Sequence, residues 1–374
     1  MQTLAQLVGS ARILVCVGRG GVGKTTMSAL LARQAAASGR RALVLTIDPA
    51  RRLADALGIA ALTDEPVRLN EPTLPGEMWA AMLKTDEAFA AILRSRMPDE
   101  AERASLEANR FYRFFATSLA GAHELAAAER LHELATCGRF DLVVLDTPPA
   151  LHASDFLDAP KRFHDALDSA AFHWLTGGKG GAGRRGIRIG IGLGLVQKTI
   201  SRFTGTEFLS ELTEFLGQMS ALMEGFKTRA AETTALIRSE QAHFVLITAP
   251  ASDAPQSVSE SAEAMQSRGC RVSALIVNRM MPPVALPADN RALAGLLHDA
   301  GLPKAEAVAL SERLRASAAE AARFAASDEA MFRQLEQRWS STLAVEAVRA
   351  FPQEVSSLAA LDAIRSLLFP ERAP

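Results

Sequence analysis

The stretch Gly18-Arg19-Gly20-Gly21-Val22-Gly23-Lys24-Thr25-Thr26 constrains this chain more than any other. It stands between a short apolar run, Ile13 to Val17, and a helical pattern that continues to Ser38 and stops at Gly39. Glycines let backbone N–H groups approach an anion with no side chain in the way, and the following helix adds the partial positive charge of its N-terminus. Gly18 to Thr25 satisfies GxxxxGK[ST] in its strand–loop–helix setting, so the spacing predicts a phosphate cradle. In it Gly18, Gly20, Gly21, Val22, Gly23 and Thr26 present backbone, Lys24 bridges β- and γ-phosphate oxygens, and the Thr25 hydroxyl ligates Mg²⁺. The chain has 34 Arg and only 7 Lys, which makes a lysine at this position conspicuous.

The second apolar run, Arg41 to Ile47, ends at Asp48-Pro49, where proline discourages further pairing. Runs at Asp141 to Leu145, His243 to Thr248 and Val272 to Val277 alternate with helical stretches. That alternation predicts an α/β fold with a mostly parallel central sheet flanked by helices. A length of 374 residues admits two domains or one enlarged by insertions. Residues 1–85, 136–155 and 240–374 are assigned to the core, and 86–135 and 156–239, where apolar residues recur at helical spacing, to an inserted helical subdomain.

The most regular part of that subdomain is Phe208, Leu212, Phe215, Met219, Leu222 and Phe226, widened by Leu209, Leu216 and Met223. A stripe of this width needs cover, either from neighbouring helices or from an apolar client. Thr176 to Leu195 is too rich in glycine for a helix and reads as a surface loop, with contact to anionic lipid or a partner as the alternative for Lys179, Arg184, Arg185 and Arg188. Towards the end, a short run at Ala344 to Val348, the pair Phe351-Pro352 and a final helix near Leu358 to Phe369 complete the pattern.

A net charge of −1 offers no basic field for nucleic acid, and none is expected as a partner. Cys16, Cys137 and Cys270 are widely separated, signal neither disulfides nor a thiolate metal site, and read as small buried hydrophobes in a reducing compartment. No secretory leader or spanning stretch is found, so a cytoplasmic protein without an integral membrane segment is expected.

Phe140 to Leu145 is an apolar strand that delivers Asp146, the form of a Walker B element beside a nucleotide-bound metal. Thr147-Pro148-Pro149 then breaks regular structure, and Asp146 to Leu151 reads as a switch responsive to the γ-phosphate, with His152 close by. Together GRGGVGKTT, TIDPARRLADALG and DTPPALHASDFLD resemble the ArsA family of ATPases, and LIVNRM at 275–280 and AFPQEVSSLAALDAI at 350–364 follow in that family's order. The family holds the arsenite-pump ATPase and the guided-entry ATPases for tail-anchored proteins, within a wider deviant-Walker group that includes ParA and MinD. The resemblance implies Mg²⁺-dependent hydrolysis of ATP by a homodimer whose two nucleotides face each other. It implies that Asp48 orients or activates the attacking water, that Asp146 holds the Mg²⁺ shell, that Asn278 recognises adenine, and that Phe351 and Pro352 close over the base.

Two positions depart from the family pattern. A lysine that reaches across the dimer usually precedes GGVGKT; here Arg19 stands there, either as a finger in trans or as drift. Arg51-Arg52 replaces His-Asn after Asp48-Pro49-Ala50 and adds positive charge beside the switch. The missing cysteine pairs argue against arsenite binding, and the implied output is a change in the helical subdomain that binds a protein or an apolar helix. A ParA- or MinD-type positioning ATPase and a nucleotide-bound scaffold without turnover are the alternatives.

Overall fold

The computed structural model describes residues 2–48, 50–84, 99–109, 122–147, 231–287, 289–353 and 355–370, together with residues 93, 94, 97, 111, 112, 211, 214, 215, 218 and 228. In chain order the elements are α1 (Leu4–Ser10), β1 (Ile13–Val17), α2 (Lys24–Ala37), β2 (Arg41–Thr46), α3 (Arg52–Leu57), β3 (Val67–Arg68) and β4 (Glu77–Met82). There follow α4 (Glu100–Ala108), α5 (Ala122–Thr136), β5 (Leu142–Asp146), β6 (Ala242–Thr248), α6 (Ala254–Gln266) and β7 (Val272–Met280). The last are α7 (Asn290–Asp299), α8 (Lys304–Trp339), β8 (Ala344–Arg349) and α9 (Leu358–Leu368).

The strands form one eight-stranded sheet in the order β3-β4-β2-β5-β1-β6-β7-β8. Neighbours run parallel except β3 and β4. Parallel strands need crossovers that cover both sheet faces, which is why the inner strands are apolar without interruption. In β1 the alternation sends Ile13, Val15 and Val17 to one buried cluster and Leu14 and Cys16 to the other. The first cluster is closed by α5 and α6, through residues such as Leu131, Leu134, Val258 and Met265. The second is closed by α1, α2, α3 and α9.

The α/β architecture expected from the alternating runs is the one adopted, with those runs as β1, β2 and β5 to β8. Strands β3 and β4 add an edge that the sequence pattern did not announce. β4 reads Glu-Met-Trp-Ala-Ala-Met, weak in β-branched residues, and its strand character comes from full parallel pairing with β2.

Parts of the expected helical insertions fall within the described residues. Helix α4 opens at Asp99, whose carboxylate accepts from the N–H groups of Ala101 and Glu102. Helix α5 buries Ala126, Ala127, Leu131, Leu134 and Ala135 against the sheet and leads directly into β5. Of the apolar stripe, Phe215 is buried with its ring 6.2 Å from that of Phe111. Phe208, Leu209, Leu212, Leu216, Met219, Leu222, Met223 and Phe226 lie outside the described residues, as do the glycine-rich segment 176–195 and residues 148–152. Among the described residues no helix is long and apolar enough to cross a membrane.

All β-strand carboxyl ends except that of β3 lie on one edge, where connections leave β1, β2, β5, β6, β7 and β8. The chain winds from β1 to β2 on one side and returns through β6, β7 and β8 on the other, a crossover at which α/β sheets bind ligands. Arg33, buried in α2, holds α9 against the back of this edge by pairing with Asp362 and, at 3.0 Å, with Glu71. The segment between β8 and α9 is thereby kept beside the loop that precedes α2. Leu30 of α2 is fully buried in the second cluster. Leu30→Ala is expected to lower the unfolding free energy by about 2–5 kcal/mol, read from urea denaturation with an unchanged denaturant slope.

Candidate functional site

The carboxyl edge holds an open cleft of about 1120 Å³. From the glycine loop and the ends of β2 and β5 it is lined by Gly20, Gly21, Gly23, Lys24, Thr25 and Thr26, with Asp48, Arg52 and Thr147; from β7, β8 and the segment after β8 by Asn278, Arg279, Arg349, Phe351 and Pro352. Of the site residues that the sequence analysis singled out, Gly18, Arg19, Val22 and Asp146 are not among those that line it.

Two glycines show why the loop has its composition. A side chain at Gly18 would overlap the carbonyl oxygen of Ile247, so β6 and the loop could not close together. Gly23 has φ +90°, in the left-handed region, and a Cβ there would overlap Nδ2 of Asn278. As the residue before α2 it leaves the first turn without a side-chain cap, and the free N–H groups of that turn suit an anion. Lys24 is buried and donates its Nζ to the carbonyl oxygen of Arg19 at 2.9 Å. Burial pushes its ammonium pKa down, while Asp146 opposes the shift.

Asp146 ends β5 in register with Cys16 of β1 and Thr46 of β2, and it is fully buried. Its Oδ2 accepts from the Thr25 hydroxyl at 2.8 Å and the Thr46 hydroxyl at 2.9 Å. Burial raises its pKa to about 6 against the pull of those two hydrogen bonds and of Lys24. Its Oδ1 is buried with no hydrogen-bond partner. A hydroxyl and an orphaned carboxylate oxygen beside a phosphate cradle are hard oxygen donors of the kind Mg²⁺ takes in nucleotide sites, so the residues fit that ion. Among the described residues no cluster of three His, Cys, Asp or Glu side chains forms a metal site. Cys16 and Cys270 are buried as expected, whereas Cys137, just past the end of α5, is exposed and corrects that expectation; burial pushes the Cys16 thiol up to about 12.

Asp48 follows β2, and its backbone N–H donates to Thr46 Oγ1 at 3.2 Å. Both carboxylate oxygens are engaged: Oδ1 accepts from the Ala50 N–H at 3.0 Å, and Oδ2 faces Arg52 Nη1 at 3.3 Å. The adjacent Arg51 turns away and donates to the Ala60 carbonyl. Of the expected switch, Asp146 and Thr147 are described, and the Thr147 hydroxyl donates to the Cys16 carbonyl at 2.7 Å.

Asn278 is buried and donates Nδ2 to the Val22 carbonyl at 2.9 Å, which ties β7 to the glycine loop and leaves Oδ1 as the acceptor. The next residue, Arg279, has φ 62°, unusual for a residue other than glycine, where the register of β7 against β8 shifts. Arg349 donates to Glu329 at 3.0 Å.

Arg19 is absent from the cleft lining. Its guanidinium pairs with Asp253, just ahead of α6, and the two side chains are 60% and 52% exposed. Sequence reasoning passed over Asp253, which lies 234 positions away and belongs to no motif. It also passed over Thr46 and Arg279. Thr46 had a signal, a hydroxyl in an otherwise apolar strand two positions before Asp48; the backbone of Arg279 had none.

Comparison with known proteins agrees with this geometry. An uncharacterised protein of Streptomyces coelicolor is 36% identical over 156 residues, 42% of this chain and 39% of that protein. A protein of Chlorobaculum tepidum, provisionally named an arsenical pump-driving ATPase, is 32% identical over 160 residues, 40% of this chain and 36% of its own length. The ATPase GET3 of Malassezia globosa is 29% identical over 158 residues, 42% of this chain and 45% of its own. The chain thus spans less than half the length of these relatives. The model of the ArsA ATPases, described as anion-transporting ATPases, matches residues 11–289, through the glycine loop, Asp48, Asp146 and Asn278. The chain belongs to the ArsA family of anion-transporting ATPases.

Proposed function

We propose that the protein hydrolyses ATP to ADP and phosphate with Mg²⁺. The single observation that bears this reading is the junction at Asp146, where the Walker B carboxylate, the Thr25 hydroxyl and the end of β2 that leads to Asp48 meet beside Lys24. In this reading the glycine loop and the first turn of α2 bind the phosphates, and Lys24 moves from the Arg19 carbonyl to the β- and γ-oxygens. Thr25 and Asp146 hold the magnesium ion, which when bound neutralises charge on those oxygens. Asp48 orients the attacking water, whose oxygen bonds to the γ-phosphorus as the bond to the bridging oxygen breaks. Positioning and fixed charge supply most of the acceleration.

Asn278 presents Oδ1 to the base because its Nδ2 is spent on Val22. An acceptor there favours the amino group of adenine over the carbonyl oxygen of guanine. Phe351 and Pro352, which line the same cleft, cover the base. We assign Arg19 to a homodimeric partner's nucleotide; its exposure and its position outside its own cleft support that assignment. Loss of the γ-phosphate is read out through segment 146–151 to a helical subdomain, residues 86–135 and 156–239, that binds a protein client or an apolar helix. The breadth of the stripe from Phe208 to Phe226 supports such a client. Cytoplasmic residence fits this role.

Phosphate release from Mg²⁺-ATP, with oligomeric state recorded in parallel, tests the reading. Wild type is expected to turn over as a dimer. Lys24→Ala should lose ATP binding, and Asp48→Asn should bind ATP yet release phosphate about 100-fold more slowly or worse. Arg19→Ala should bind ATP normally and lose turnover. Wild type that binds ATP as a dimer and releases no phosphate would replace the enzyme with a nucleotide-held scaffold. Asn278→Ala is expected to narrow the preference for ATP over GTP by about tenfold in competition binding, the value of one hydrogen bond. An apolar helix that binds the ADP and ATP forms equally would overturn the client assignment.

A further inference from the structure

Arg52 begins α3 and lines the cleft with Gly20, Lys24, Thr25 and Asp48. We infer that Arg52 is a catalytic arginine supplied in cis, which exchanges the Asp48 carboxylate for the γ-phosphate when ATP binds. This rests on the ATPase reading above and adds to it the group that senses the third phosphate.

Three observations lead there. First, the Arg52 guanidinium stands 3.3 Å from Oδ2 of Asp48, while Oδ1 accepts from Ala50. The oxygen that would meet the attacking water is therefore the one that faces the arginine. Second, of the three described arginines that line the cleft, Arg52 is the one paired with Asp48; Arg279 and Arg349 belong to β7 and β8, and Arg349 donates to Glu329. Arg19 pairs with Asp253 outside the cleft and Arg51 donates to Ala60. With its side chain 60% exposed, Arg52 keeps a hydrated, mobile guanidinium. Third, the exchange needs only the side chain to swing: α3 has 6 residues and no side-chain cap, and Leu53, Ala54 and Leu57 seat its backbone in the second buried cluster.

The exchange follows from charge and shape. A γ-phosphate carries up to two negative charges and offers paired oxygens to the planar fork, whereas Asp48 offers one charge at a single contact. Once Arg52 holds the equatorial oxygens, Oδ2 of Asp48 is free to accept a proton of the attacking water. Water oxygen then bonds to phosphorus, the electron pair of the broken bond stays on the β-phosphate of ADP, and the proton passes through Asp48 to bulk water. After phosphate leaves, Arg52 returns to Asp48.

The test compares wild type, Arg52→Ala and Arg52→Lys by calorimetric binding of Mg²⁺-ADP and of the non-hydrolysable Mg²⁺-AMP-PNP, and by single-turnover phosphate release at saturating ATP. Circular dichroism confirms the fold. Arg52→Ala is expected to weaken AMP-PNP about tenfold or more, to leave ADP within about twofold, and to slow phosphate release by about 10- to 100-fold. Arg52→Lys should recover part of the AMP-PNP affinity and little of the rate, because an ammonium lacks the fork. An unchanged ratio of AMP-PNP to ADP affinity in Arg52→Ala, or phosphate release faster than wild type, overturns the inference; the latter would make Arg52 only a restraint on Asp48. Failure of wild type itself to release phosphate counts against the ATPase reading, while the affinity ratio still decides whether Arg52 meets the third phosphate.

Discussion

The buried carboxylate of Asp146 is the constraint on which the arrangement of the cleft depends. A charge taken out of water is tolerated only with partners, and here two hydroxyls from different elements converge on one oxygen. Thr25 fixes the first turn of α2 and Thr46 fixes the end of β2, so the glycine loop and the loop that bears Asp48 are both referred to a single atom. Parallel register with β1 and β2 puts Asp146 level with Cys16 and Thr46, which makes that convergence possible. Burial raises the carboxyl to about 6 against the pull of those two hydrogen bonds.

Much of this is written locally in the chain. The glycine loop, Asp48, Asp146 and Asn278 each sit at the carboxyl end of a strand recognisable as a short apolar run, and a parallel sheet gathers those ends on one edge. Contacts that depend on distant packing are different in kind. No local pattern says that Arg19 will meet Asp253, that Arg52 will turn inward while Arg51 turns outward, or that β4 will extend the sheet beside β2. Those outcomes follow from which helices and strands are brought together, and in a chain with 34 arginines composition alone cannot single out the few that reach the cleft.

The two departures from the family pattern acquire distinct physical meanings. Arg19 and Arg52 are both exposed and both paired with a carboxylate, yet one stands outside the cleft just ahead of α6 and the other lines the cleft. Each guanidinium is 60% exposed and held by a single carboxylate, Asp253 in the open and Asp48 largely buried, and exposed ion pairs contribute little and are screened by salt. Such pairings keep an arginine near its post without committing it there. Arg33 shows the contrast: buried and bound to two carboxylates, it serves as a fixed brace between α2, α9 and the Glu71 loop.

The contact between Asn278 and the glycine loop has a consequence for how nucleotide choice can change. The side-chain amide lies where any Cβ on Gly23 would stand, and its N–H group satisfies the Val22 carbonyl. On the proposed function, the residue that would meet the base is therefore also a strut of the glycine loop. A substitution made there to favour a different base would have to supply an amide donor of the same reach to Val22, or the loop would lose that tie. Choice of base and grip on phosphate would then be coupled through one side chain.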